Sequence, residues 1–383
     1  MRLERGRYGS VITLGAAVCG LAALIAGGTT ASPLPKKKKE DQTQTLQLPR
    51  ELPAAVEADT RRLTFYVTPL SAKGLLSQQI RDAVKALIRR AGSDTILKIR
   101  AFVAGPGDVR RVRDLISELF TERQKALPSL SLIRSGGLPL EGAQVVLEAI
   151  ASAAKPLQQN GLAFLSARAE TSANPLDPVE PLIERSLESL RQSVQASGAA
   201  SSDMARVTCF VSSFENFEVW RAKVEAEYPR AAIDYVQPQR SPGRAMAACE
   251  AVARLSADPG PLRMVPAEGH GAEIPVEAGQ SRVALVGAPR VVLTGTQVAF
   301  GFEEKDAHLA FERLQRELEQ SGSSMRNVAF AHYYPLAQSI AAQVRRVRQD
   351  FFDPGHPPAG TMLLFEGLTS MDAGFAVDVI AVK

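Results

Sequence analysis

From Leu63 onward the chain alternates between strand-like apolar runs and amphipathic helical stretches, and the alternation recurs three times. Runs rich in β-branched and aromatic residues read as strands: TILKIRAFVA (95–104), DMARVTCFVS (203–212) and MRNVAFAHYYP (325–335). Before each lies an amphipathic stretch ending at a glycine, Gly92, Gly198 or Gly322, the residue suited to a helix C-cap. After each comes a second helical stretch: DVRRVRDLISELFTERQ, FENFEVWRAKVEAEY and LAQSIAAQVRRVRQDFF. In the first of these, Val109, Val112, Leu115, Ile116 and Leu119 recur at helical spacing. Each second helix then meets a proline (Pro128, Pro229, Pro358), and each block closes on a strand: QVVLEAIA, MAACEAVA or FAVDVIAV.

The landmarks keep step. The glycines lie 106 and 124 residues apart and the prolines 101 and 129 apart. The Pro/Gly-rich stretch 258–282 accounts for the longer second interval and reads as a connection. The pattern predicts an α+β protein of three βαβαββ units at 59–156, 157–257 and 283–383, an internal repeat.

The N-terminus follows another pattern. MRLERGRYGS precedes the apolar run VITLGAAVCGLAALIAGG and the small residues Thr29-Thr30-Ala31, the layout of a secretory signal over 1–31. Export to the periplasm or exterior is expected; an uncleaved anchor through residues 9–28 is the competing reading. Residues 32–58 read as a polar linker in which Lys36–Lys39 form a solvated tether. Without Arg2, Arg5, Arg7 and Glu4, the chain's 45 basic and 41 acidic residues become 42 and 40, and setting Lys36–Lys39 aside leaves the folded part near −2. No basic field remains for nucleic acid. No metal or cofactor is expected, since His270, His308, His332 and His356 are scattered without ligand spacing. Cys209 and Cys249 could pair in an exported protein, but two separate buried thiols are the expectation.

The residues also carry a family resemblance. PSLSLIRSGGLP (128–139), PRAAIDYV (229–236) and PAGTMLLFEGL (358–368), with the closing strands LEAIA, CEAVA and VDVIAV, resemble the P-A-R-x-x-x-x-V-x-x-L-P and E-x-E-A-x-A segments of the Rid/YjgF (reactive intermediate deaminase) family. EQSGSSMRNVAFAHYYP (319–335) is similar to the family's first-helix ending. The resemblance implies chorismate mutase-like, YjgF-like units joined as a single-chain pseudo-trimer. Sheets would lie inside, helices outside and small-molecule clefts between units, and the chain would be a monomer.

The same resemblance implies a chemistry that the residues lack. Family members hydrolyse enamines and imines, clamping the substrate carboxylate with the arginine of P-A-R. The matching positions here are Leu130, Ala231 and Gly360, followed two residues on by Leu132, Ile233 and Met362. The first glutamate of E-x-E-A is matched by Val146, Ala248 and Ala376; the second acid persists as Glu148, Glu250 and Asp378. Candidate site residues are therefore Arg230, one position from the expected arginine, and those three acids, for which a structural role weighs more than catalysis. Thr294-Gly295-Thr296 is similar to the turn bordering the family's cleft. His332, Tyr333 and Tyr334 end a strand, with His332 and Tyr334 on one face, and His332 reads as a satisfied core or rim residue. His356 reads as a loop residue, and Trp220 as packing with Phe217. The expectation is an exported Rid-like protein with a degenerate or altered metabolite site. The alternatives are an enamine/imine deaminase with rearranged residues, or a chorismatase-like hydrolase drawing on Arg240, Arg244 and Arg345.

Overall fold

The computed structural model describes residues 50–105, 107–266 and 280–383. The expected leader, the apolar run 9–28, Cys19, Lys36–Lys39 and His270 lie outside the described residues.

A first strand, β1 (Ala55–Asp59), is followed by β2 (Leu63–Val67), α1 (Leu76–Ala91), β3 (Thr95–Ala104), α2 (Val109–Glu122), β4 (Ser129–Ser135) and β5 (Val145–Ser152). The second segment holds β6 (Leu162–Leu165), β7 (Glu170–Ser172), α3 (Glu180–Ser197), β8 (Met204–Val211), α4 (Phe217–Glu227), β9 (Ala232–Val236) and β10 (Ala245–Arg254). After β11 (Arg263–Pro266) and β12 (Ser281–Val286) come β13 (Arg290–Thr294), β14 (Gln297–Phe300), α5 (Glu304–Gln320), β15 (Val328–Tyr333), α6 (Gln338–Val347), β16 (Ala359–Met362) and β17 (Ala373–Val382).

One strand order appears three times: β2-β5-β3-β4, β6-β10-β8-β9 and β13-β17-β15-β16. Within each, the two strands joined through the second helix are parallel, as a helical crossover requires, and the closing strand runs antiparallel between its neighbours. Among the described residues the first set is a four-stranded sheet, and the other two belong to one curled, mixed, thirteen-stranded sheet. β12 joins those two sets by pairing with β6 and, at one position, with β16. β1 pairs with β13, so the strand ahead of the first segment completes the third.

The helices arise from the periodicity already noted. In α1, Ile80, Ala83, Val84 and Leu87 are buried on one stripe, and Gly92 (φ 57°) closes the helix by donating its N–H to the Ile88 carbonyl. Strand alternation then separates two interiors. Ile99, Ala101 and Val103 of β3 face α1 and α2, whereas Lys98, Arg100 and Phe102 point to the opposite side. Trp220 is buried beside Phe217 with ring centroids 4.9 Å apart, and its Nε1 donates to the Glu215 carbonyl.

Two expectations are corrected. Cys209 and Cys249 are not separate thiols but a disulfide. They lie directly opposite each other on the antiparallel strands β8 and β10, with Cα atoms 4.1 Å apart. The Cys249 N–H donates to Ser186 Oγ rather than across the ladder, so the pair occupies a narrow site where side chains meet. The second correction concerns the second segment's edge strand. Pro229 and Arg230 form a turn ahead of β9, which begins at Ala232, whereas β4 and β16 begin immediately after Pro128 and Pro358. Ladder partners make Leu130, Ile233 and Gly360 equivalent, and likewise Leu132, Tyr235 and Met362. The expected match through Ala231 and Ile233 is displaced by two residues, because Arg230 and Ala231 stand between Pro229 and its strand, where Pro128 and Pro358 adjoin theirs directly.

No helix among the described residues is long and apolar enough to cross a membrane.

Candidate functional site

The three acids recurring at one place in the closing strands meet in a single buried cluster. Glu148 sits on β5 opposite Arg100, Glu250 on β10 opposite Thr208, and Asp378 on β17 opposite His332. Arg100 donates from Nε to Glu148 (2.6 Å) and from Nη2 to Glu250 (2.6 Å). Lys98 Nζ donates to Asp378 (2.6 Å) and to the Thr294 carbonyl (2.5 Å). Arg206 reaches Glu250 at 2.9 Å, Thr208 donates to Glu148, and Ser131 and Tyr334 both donate to Asp378. His332 places Nδ1 3.0 Å from Asp378 and Nε2 3.1 Å from Glu250, so its ring bridges the two carboxylates.

This layer is closed on both sides by apolar ones. Phe102, Phe210, Tyr334 and Phe365 stack above it, with Arg100 5.1 Å from the Phe102 ring centre. Leu63, Phe65, Phe164 and Phe330 lie in the cluster on the other side. Burial alone would raise the three carboxyls. The charges of Arg100 and His332 instead hold Glu250 well below its ordinary value, those of Lys98 and His332 do so for Asp378, and those of Arg100 and Arg206 lower Glu148. Burial lowers Lys98 despite Asp378, and raises Tyr334, where Asp378 adds to the effect.

Asp234, at the position of Ser131 and Thr361, behaves oppositely. Burial, reinforced by the negative charge of Glu148, pushes its carboxyl well above the ordinary value, and its Oδ2 has no protein partner. The folded-state value thus lies above the unfolded one, so Asp234 destabilises the fold as pH rises above the ordinary carboxylate range. Asp234→Asn is therefore expected to raise Tm at pH 7 by about 2–4 °C, roughly 1 kcal/mol, with the gain shrinking near pH 4. Differential scanning calorimetry at the two pH values checks this.

The accessible chemistry lies elsewhere. A cavity of about 510 Å³ opens between the second and third segments. Its walls come from β7 and β10, the loop joining β9 to β10, α6, and the end of β16. Arg244 and Arg345 line it, with Thr171, Ser212, Gln239 and Gln338 as neutral polar groups. Among the described residues, its lining contains no Asp, Glu, His, Cys, Lys or Tyr. Met362 is part of the wall; Gly360, two residues earlier, stands where the resemblance requires an arginine. A Cβ on Gly360 would lie 2.4 Å from the Ala331 carbonyl oxygen, so this position admits no side chain without moving the backbone.

The candidate residues are thus parted. Glu148, Glu250 and Asp378 are at most 2% exposed and sealed away from the cavity. Arg230 is exposed in the turn before β9 and is not part of the cavity wall. Thr294-Gly295-Thr296 packs on the first segment: Thr296 donates its N–H to the Leu130 carbonyl, and Gly295 lies against the same residue. Arg244 and Arg345 converge on one cleft, whereas Arg240 uses its backbone N–H to bond Glu366. Lys98, Arg100 and Arg206 are site residues that the family resemblance does not point to. Their signal was charge within strands otherwise apolar on both faces, a pattern that requires buried partners.

No family model and no curated protein matches the sequence of this chain. Among solved structures it is similar to a member of the YjgF/YER057c/UK114 family from Mycobacterium tuberculosis (19% identity, 32% of this chain, 99% of the other, TM-score 0.22). It is also similar to a protein of unknown function of the conserved Rid family from Yersinia pestis (16% identity, 32% and 98%, TM-score 0.27). A YjgF-family protein from Neisseria meningitidis is a third (17% identity, 32% and 94%, TM-score 0.23).

Proposed function

We propose that this protein is an exported, Rid-like, single-chain pseudo-trimer that binds a small metabolite in the cleft between its second and third units without turning it over. The observation that carries the reading is the composition of that cleft. Hydrolysis of an imine needs a group that moves a proton and activates water, and among the described residues no lining side chain ordinarily does so near neutral pH. The clamp positions are apolar in all three units, and at Gly360 the backbone leaves no room for a substitute.

The pseudo-trimer reading is supported by the threefold recurrence of strand order and by buried ties between unlike units: Lys98 to Asp378, Arg100 to Glu250 and Thr208 to Glu148. Export is supported by the Cys209–Cys249 disulfide, since such bonds persist in oxidising compartments. A deaminase with a rearranged site loses its best-named residue, because Arg230 stands outside the cleft.

The purified protein is expected to accelerate neither the hydrolysis of 2-iminopropionate nor the release of pyruvate from chorismate over buffer. Turnover of either at the rate of an ordinary enzyme would overturn the binding-only reading.

A further inference from the structure

Charge is unevenly divided along this chain. Segment 59–156 carries 16 basic and 9 acidic residues, a net +7, whereas 157–257 (10 and 12) and 283–383 (9 and 11) are each −2. Setting aside buried Lys98, Arg100 and Glu148 leaves +6 on the surface of the first segment. Glu268, Glu273 and Glu277, outside the described residues, offset at most half of that, and residues 1–49 hold 7 basic against 3 acidic groups.

Much of the excess lies on two helices. Arg81, Lys85 and Arg89 recur every four residues along α1, and Lys85 and Arg89 are exposed. Arg110, Arg111 and Arg113 open α2, which packs beside α1, and Gly107 against Leu76 brings the two helix starts together. Asp108 pairs with Arg110 at 3.7 Å and Glu118 with Arg111 at 2.9 Å. Among the described residues, Arg81, Lys85, Arg89 and Arg113 have no ion-pair partner. Leu75 holds the N-cap of α1, is 77% exposed and makes no side-chain cap bond. Each of these features costs the isolated fold stability. Like charges four residues apart repel, cations at a helix start oppose its dipole, and serine or aspartate would cap better than leucine. An anionic surface reverses the first two penalties, and burial in a headgroup boundary offsets the third.

We propose that this helical face of the first segment docks on an anionic lipid bilayer, with Arg81, Lys85, Arg89 and Arg113 over lipid phosphates and Leu75 entering the headgroup boundary. The exposed leucine favours lipid over nucleic acid, which would attract the cations but gains nothing from an aliphatic tip. The negative charge of the other two segments turns them away from the surface and so orients the chain.

The test is sedimentation of the full mature chain, from Ser32, with vesicles of phosphatidylcholine alone or of phosphatidylcholine and phosphatidylglycerol in equal parts. Binding to the mixed vesicles should exceed binding to the neutral ones about tenfold or more and weaken with added salt. Arg81→Gln/Lys85→Gln/Arg89→Gln should lose about tenfold or more of that binding. Lys36–Lys39 remain in every variant, so this loss reads the helical face alone. Leu75→Ser should also bind more weakly, yet melt no lower than the parent, because serine caps the helix. The same charge removed from the second segment, Arg185→Gln/Arg221→Gln/Arg230→Gln, should change binding by about twofold at most. Thermal melting confirms that each variant is folded. Equal binding to the two vesicles, no binding to either, indifference to the α1 variant or to Leu75→Ser, an equal loss from the second-segment variant, or tighter binding to duplex DNA than to mixed vesicles at the same salt would each overturn the proposal.

Discussion

Glu250→Gln lowers the free energy of unfolding by about 3–5 kcal/mol, the usual consequence of removing one partner from a buried ion pair. Glu250 Oε1 accepts from Arg100 at 2.6 Å and Arg206 at 2.9 Å, and His332 Nε2 lies 3.1 Å away. Glutamine keeps the shape and removes the charge, so Arg100 and Arg206 lose a shared counter-ion in a layer buried from solvent. Urea denaturation followed by circular dichroism reads the loss, and Glu312→Gln on the exposed face of α5 should stay within about 0.5 kcal/mol of the parent. The same groups set the acid limb of stability. Glu148, Glu250 and Asp378 have folded-state pKa values below their unfolded ones. Their contribution is therefore complete above the ordinary carboxylate range and is lost as pH falls through the depressed folded-state values. The parent should lose stability in acid, and Glu250→Gln should lose less over the same window. An unaltered midpoint for Glu250→Gln at pH 7 would show that the cluster does not hold the segments together.

Removing the disulfide has an effect of similar size by a different route. Cys209 and Cys249 are 40 residues apart, and closing such a loop restricts the unfolded chain by about 4 kcal/mol in the chain-entropy model. Cys209→Ser/Cys249→Ser should lower the urea midpoint accordingly. The bond sits in the packed interior under α3, where Cys209 is 0% and Cys249 2% exposed. Dithiothreitol should therefore act on the native protein only as fast as the second segment opens, and the two-serine variant should be indifferent to it. A parent whose midpoint is unchanged by reduction in denaturant would remove both the stabilising role and the support it lends to export.

Periodicity determined the elements repeated in the three segments, but not β1, which lies mostly in the stretch 32–58 read as linker. The apolar stripe Val109–Val112–Leu115–Ile116–Leu119 could bury itself only as a helix, and TILKIRAFVA became β3 over its whole length. The recurrence of Glu148, Glu250 and Asp378 at one place per repeat was legible too, because each sits at a fixed offset from the end of a strand. What those acids face was not legible. Arg100 and Glu250 are 150 residues apart, and Lys98 and Asp378 are 280 apart. Only closure of the segments on one another brings them within hydrogen-bond reach, and no local pattern encodes which strand will lie across from which. The disulfide and the displaced match at Pro229 share that cause: register between strands fixed both, and two extra residues between Pro229 and its strand shifted one without disturbing the alternation that sequence can display. The cleft is the furthest from the sequence, since Arg244 and Arg345 belong to different segments and come to line one cavity only where two curved sheet edges and a helix leave space between them.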